Sequence, residues 1–108
     1  MELIIDSNFD SKNNNWLIKM IGEVDLFNSS EMKSKLLEIF DSNHASMIIF
    51  CEELDYLDST ALGALVSVLK HTKQFDCTIS LKNIKPNIEK LFKITNLDQV
   101  FKIEGDDK

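Results

Sequence analysis

The order of apolar and polar positions along this chain predicts alternating strands and helices, β-β-α-β-α-β-α-β. Two extended runs come first, Leu3 to Ile5 and Trp16 to Ile21. The polar stretch Asp10 to Asn15 between them, with its three consecutive asparagines, predicts an antiparallel hairpin. Gly22-Glu23-Val24-Asp25 leaves the second run, and Asn28-Ser29-Ser30-Glu31 offers a cap residue with Glu three positions later. A first helix is expected from there through about Phe40. Its apolar positions Met32, Leu36, Ile39 and Phe40 recur at steps of three and four, and Lys33, Lys35 and Glu38 are left for solvent.

Met47 to Cys51 is a continuous apolar run, the pattern of a central strand covered on both faces. The acidic stretch Glu52 to Leu57 follows and closes with Asp58-Ser59-Thr60. A second helix is expected next, with Leu62, Leu65, Val66 and Leu69 as its apolar stripe and with Gly63 and Ala64 permitting close approach to a neighbour. Cys77 to Leu81 reads as a strand, Lys85-Pro86-Asn87 as the start of a third helix with Ile88, Leu91 and Phe92 on one face, and Val100 to Ile103 as a closing strand. Glu104 to Lys108 is expected to fray. Strands separated by helices run parallel through right-handed crossovers, so the expected fold is a single α/β domain over residues 1–108. Helices would pack on a mixed sheet of about four to five strands.

Composition narrows the classes. With 108 residues and 44% hydrophobic content, one core must serve the whole chain. A domain this small buries roughly 60 to 70% of its unfolded surface, enough to fold without a disulfide or structural metal. Cys51 and Cys77 lie in or beside apolar runs with no metal-ligand spacing and are read as buried strand thiols. Met1 leads directly into Leu3-Ile4-Ile5, and no run approaches the roughly 18 apolar residues of a membrane span, so a cytoplasmic protein with no membrane insertion is expected. The net charge is −6 and every basic residue is lysine, which argues against direct nucleic-acid binding and favours a basic protein partner.

Ser59 stands where an acidic loop meets a helix N-terminus. Asp58, Ser59 and Thr60 are three candidates for one cap position, so at least one hydroxyl is expected to be free. Phosphorylation there would add about −1.5 to −2 charges amid Glu52, Glu53, Asp55 and Asp58. The helix dipole would offset about 0.3 to 1 kcal/mol of that, whereas a partner face matched to the neutral hydroxyl would meet an unmatched charge.

Other chemistry has little support. A Ser59–His71 pair would be twelve residues apart on one helix, about 18 Å, and no nucleophile elbow or phosphate-cradling glycine loop is present. The group Glu52, Glu53, Asp55, Asp58 and Asp25 lacks the spacing of a known cation loop and is read as a solvated acidic rim, with no metal or cofactor expected. Trp16, Phe27, Phe75 and Phe92 fit core patterns, although Phe27, beside the acidic turn, is also placed to be an exposed partner anchor.

Three motifs at matching separations resemble the STAS domains of bacterial anti-sigma-factor antagonists over nearly the whole chain. Gly22-Glu23-Val24-Asp25 resembles the family's Gly-Glu-Leu-Asp turn, and Leu57-Asp58-Ser59-Thr60-Ala61-Leu62-Gly63 resembles its Asp-Ser-Ser/Thr-Gly-Leu-Gly phosphorylation segment. Lys85-Pro86-Asn87-Ile88 with Leu91-Phe92-Lys93-Ile94-Thr95-Asn96-Leu97 resembles its C-terminal helix. Ala61 and Asn96 stand where the family has glycine. The resemblance implies that Ser59 is the phosphoacceptor, with Thr60 as the alternative, that Asp58 is its acidic neighbour, and that Asp25, Phe27, Asp58, Ser59, Thr60 and Leu62 form the partner surface. It further implies a non-enzymatic protein that binds an anti-sigma factor with serine kinase activity, frees a sigma factor, and is reset by a phosphatase. The rival reading within the family is a STAS scaffold or regulatory subunit of a signalling assembly or membrane transporter, with no phosphoswitch at Ser59.

Overall fold

The computed structural model describes residues 2–104. Of the end expected to fray, Glu104 belongs to a strand, and the rest lies outside the described residues.

The hairpin forms from β1 (Ile4–Asp10) and β2 (Asn15–Val24), paired from Ile4↔Ile21 to Asp10↔Asn15. β1 runs five residues past its apolar start because its length is set by pairing with β2; Asp6, Ser7 and Asn8 are exposed. At the turn Asn14 takes φ 56°, a left-handed conformation that asparagine tolerates. α1 (Ser29–Ser42), β3 (Ser46–Phe50), β4 (Leu54–Leu57), α2 (Ser59–Lys73), β5 (Ile79–Lys82), α3 (Pro86–Ile94), a 3₁₀ turn (Leu97–Gln99) and β6 (Lys102–Glu104) follow. The sheet order is β1-β2-β3-β5-β6, with β1 antiparallel to β2 and the remaining pairs parallel.

Each parallel crossover advances in the same direction across the sheet. Right-handed connections therefore place α1, α2 and α3 on one face. Ile18, Met20, Met47, Ile49, Ile79 and Leu81 point into that layer against Met32, Leu36, Phe40, Leu65, Val68, Ile88 and Phe92. The expectation that the central strand is covered on both faces is corrected: in β3 Met47 and Ile49 are buried, while Ser46, Ile48 and Phe50 alternate onto a half-open face. On α2 the buried stripe includes Val68, while Val66 is half-buried.

The acidic stretch, read as a loop, contains a strand. β4 pairs with the second half of β2, beyond the reach of β3, as Glu23↔Tyr56 and Val24↔Leu57. Its buried positions are Leu54 and Leu57, three apart, so the alternating signature of a strand is missing. The handover from β3 to β4 occurs at an irregularity between Gly22 and Glu23. Gly22 takes φ +109° there, and a Cβ would lie 2.4 Å from the carbonyl oxygen of Glu2.

Candidate functional site

Because Val24 and Leu57 are neighbours in register, the chain leaves β2 and β4 side by side at the carboxyl edge of the sheet. Asp58 N donates to Val24 O at 3.2 Å and closes that edge. Two segments emerge together: the loop Asp25 to Asn28 and the first turn of α2.

Asp58 joins them. Its Oδ1 accepts from Ala61 N at 2.8 Å, as an N-cap does, and its Oδ2 accepts from Leu26 N at 3.0 Å. The loop is further tied by its own side chains. Asp25 Oδ1 accepts from Phe27 N at 2.9 Å and Asn28 N at 3.3 Å, while Asn28 Oδ1 accepts from Asp25 N at 2.9 Å and Asn28 Nδ2 donates to Glu23 O at 2.9 Å. Asn28 does occupy the N-cap of α1, but its side chain serves this loop and makes no cap bond, so the expected capping box does not form. The tied loop projects two apolar side chains, with Leu26 60% and Phe27 88% exposed.

With Asp58 as the cap, the hydroxyls of Ser59 and Thr60 are left on the exposed first turn, and among the described residues neither takes a hydrogen-bond partner. Leu62, expected on the partner surface, is turned into the core at 4% exposure, because it falls on the stripe of α2 that faces the sheet. Ala61 is fully buried, its methyl group packed into the core. Gly63 is exposed with open space where a Cβ would sit; the close approach expected of it meets no neighbour among the described residues.

Glu52, Glu53 and Asp55 are exposed, as a solvated rim requires, and each also takes a partner. Lys19 Nζ lies 2.9 Å from Glu53 Oε2, Lys85 pairs with Asp55, and Asn83 Nδ2 donates to Glu52 Oε2 at 2.8 Å. Among the described residues no three His, Cys, Asp or Glu side chains converge as a metal site. His71 lies toward the other end of α2, its Nε2 2.9 Å from Asp41 Oδ1. Phe92 is core, while Phe75 is 41% exposed against the His44 ring, at a centroid distance of 3.9 Å. Trp16 is half-buried and donates from Nε1 to Asn43 O at 2.8 Å. Both thiols are free and buried. Burial, with help from Glu52, pushes the Cys51 thiol up to about 12, and burial also raises Cys77.

Leu26 was not legible as a site residue. It sits between Asp25 and Phe27 with no charge or periodicity of its own; the available signal was an apolar pair flanked by two Asx-type residues, a turn that exposes what it carries.

A family model described as the STAS domain matches residues 7–106. The anti-sigma-B factor antagonist of Bacillus subtilis (strain 168) is 27% identical over 88 residues, covering 82% of this chain and 80% of the relative. That of Staphylococcus aureus (strain NCTC 8325 / PS 47) is 28% identical over 86 residues, 80% of each chain. Among solved structures, the phosphorylated form of SpoIIAA from Bacillus superposes with a TM-score of 0.73 at 18% identity, covering 97% of this chain and 93% of that one. A STAS domain protein from Planctomyces limnophilus gives 0.79 at 14% identity, covering 95% and 91%. These likenesses establish a shared fold. Among the described residues, no helix is long and apolar enough to cross a membrane.

Proposed function

The chain belongs to the STAS domain family, and from that membership we propose that it is an anti-sigma factor antagonist whose grip on its partner is set by phosphorylation of Ser59. The supporting observation is the division of labour at the start of α2. Asp58 satisfies the helix amide that a capping serine would otherwise serve, which leaves the Ser59 hydroxyl exposed and uncommitted. A serine spared from capping is available to a kinase.

A phosphate at this position would add about −1.5 to −2 charges beside the amide-rich start of α2, where the dipole tolerates an anion. The fold would hold. The partner would not, because an interface matched to a hydroxyl has no cations placed for the phosphate, and burying an unmatched charge costs several kcal/mol. In this reading the unphosphorylated protein holds the anti-sigma factor in the cytoplasm and thereby frees the sigma factor. The anti-sigma factor supplies the serine kinase, and a phosphatase reverses the modification.

The test is phosphate transfer. Incubation with ATP and the anti-sigma factor of the same cells is expected to add one phosphate, which mass spectrometry localises to Ser59 and which Ser59→Ala abolishes. Phosphate on Thr60 instead would move the acceptor by one residue. No incorporation at either hydroxyl would overturn the switch and leave the scaffold reading ahead.

A further inference from the structure

We propose that the sheet face opposite the helices, centred on Ile48 and Phe50, is where a second copy of this chain packs, so that two domains associate sheet to sheet with their helices outward. The proposal goes beyond the reading of Ser59 and does not depend on it.

This face carries more apolar surface than exposure to water calls for. Ile18, Met20, Met47 and Ile49 point to the helices, so by alternation Leu17, Ile21, Ile48 and Phe50 point the other way, and all four are half-buried. Leu17 and Ile48 are register partners, Phe50 follows two residues on, and Ile4, 47% exposed, pairs with Ile21. Apolar residues on both sides of β2 and β3 are the composition of parallel strands covered on both faces, and such sheets rarely leave a face open. Here α1, α2 and α3 share a single face.

The polar residues around this centre select the occupant. The registers set two neighbouring rows across the sheet, Asn8-Leu17-Ile48-Ser80-Lys102 and Asp6-Lys19-Phe50-Lys82-Glu104. A two-fold axis running across the strands between the rows lays each row on the other row of the second copy. Ile48 then meets Phe50 twice at the centre, Lys102 meets Glu104 twice at the rim, the Lys19 stem covers Leu17, and no like charges oppose each other directly. A two-fold axis along β3 would instead set Asp6 against Glu104 and Lys19 against Lys82, so charge favours the first arrangement. Glu104 also takes Lys82 of its own chain at 3.4 Å, so each rim contact joins two lysines through one carboxylate. Because α2 lies on the far side of the sheet, both Ser59 hydroxyls stay open in the pair, which makes it bivalent toward a partner.

Sedimentation equilibrium of the full chain at tens of micromolar is expected to give twice the 12.4 kDa chain mass. Phe50→Glu sets a carboxylate between Lys19 and Lys82 of its own chain but against Ile48 of the second copy, so it should fold, as thermal melts would verify, and weaken association about 100-fold or more. Lys102→Glu is expected to weaken it about 5-fold by opposing two carboxylates at each rim, and adding Glu104→Lys to restore it. Ser59→Asp is expected to leave the dimer unchanged, so the switch can fail without touching this result. A wild-type chain that is monomeric under these conditions would overturn the second copy as occupant. A dimer that survives Phe50→Glu, or a charge swap that restores nothing, would place the contact elsewhere and overturn the proposal too.

Discussion

Asp58 reaches the adjoining loop at Leu26, thirty-two positions away in the chain, and accepts its amide at 3.0 Å while capping α2 with its other oxygen. One carboxylate thus fixes both the exposed tip and the helix that presents Ser59. Asp58→Asn keeps one carbonyl acceptor and replaces the other oxygen with a donor, so only one of the two bonds survives. A loss of about 1 kcal/mol is expected, against about 2 kcal/mol for Asp58→Ala, in chemical denaturation. Amide hydrogen exchange at Leu26 should quicken in Asp58→Ala; unchanged exchange there would mean that the tie contributes nothing.

The two glycines near the site are expected to respond in opposite directions. Gly22 takes φ +109° with Glu2 O 2.4 Å from where a Cβ would be, so Gly22→Ala should lose about 1 to 3 kcal/mol from the backbone alone and more from the clash. Gly63 lies in a helix with open space around it, so Gly63→Ala should gain up to about 1 kcal/mol. Parallel thermal melts compare them; a destabilised Gly63→Ala would contradict the outward placement of that position.

The thiols carry a pH signature. Cys51 and Cys77 are neutral and buried, so both should label slowly with a thiol reagent until the chain unfolds. Above the ordinary thiol value of 9.0 the unfolded chain sheds protons that the folded chain keeps at Cys51 up to about 12. The contribution of Cys51 is therefore fully present below pH 9.0 and is lost as pH rises toward about 12. Denaturation at pH 8 and pH 10.5 should show weaker stability at the higher pH, and a Cys51→Ala variant should show a smaller drop.

Much of this architecture is legible in the sequence because helix-spaced apolar residues such as Met32, Leu36 and Phe40 do what their spacing implies. β4 escapes because its two buried leucines are three apart and its strand character comes from the late half of β2, a long-range pairing. At the site, the choice among Asp58, Ser59 and Thr60 for the cap depends on where Leu26 N lies, and that is fixed by the Val24↔Leu57 register. Leu62 stands both on the apolar stripe expected of α2 and, by the resemblance, on the partner surface; its burial decides for the stripe. The acidic stretch is legible as a solvated rim, but its partners Lys19, Asn83 and Lys85 are not, because the fold brings them from β2 and from beyond β5.

The central claim separates charge at Ser59 from its hydroxyl, and affinity for the anti-sigma factor measures that separation most directly. Asp58 already caps α2, so neither Ser59→Ala nor Ser59→Asp should unfold the domain, which thermal melts would verify. Ser59→Ala is expected to bind close to wild type, while Ser59→Asp should lose about 2 kcal/mol or more, roughly 30-fold, as a poorly matched charge is desolvated at the interface. Ser59→Asp binding as tightly as wild type would contradict the account.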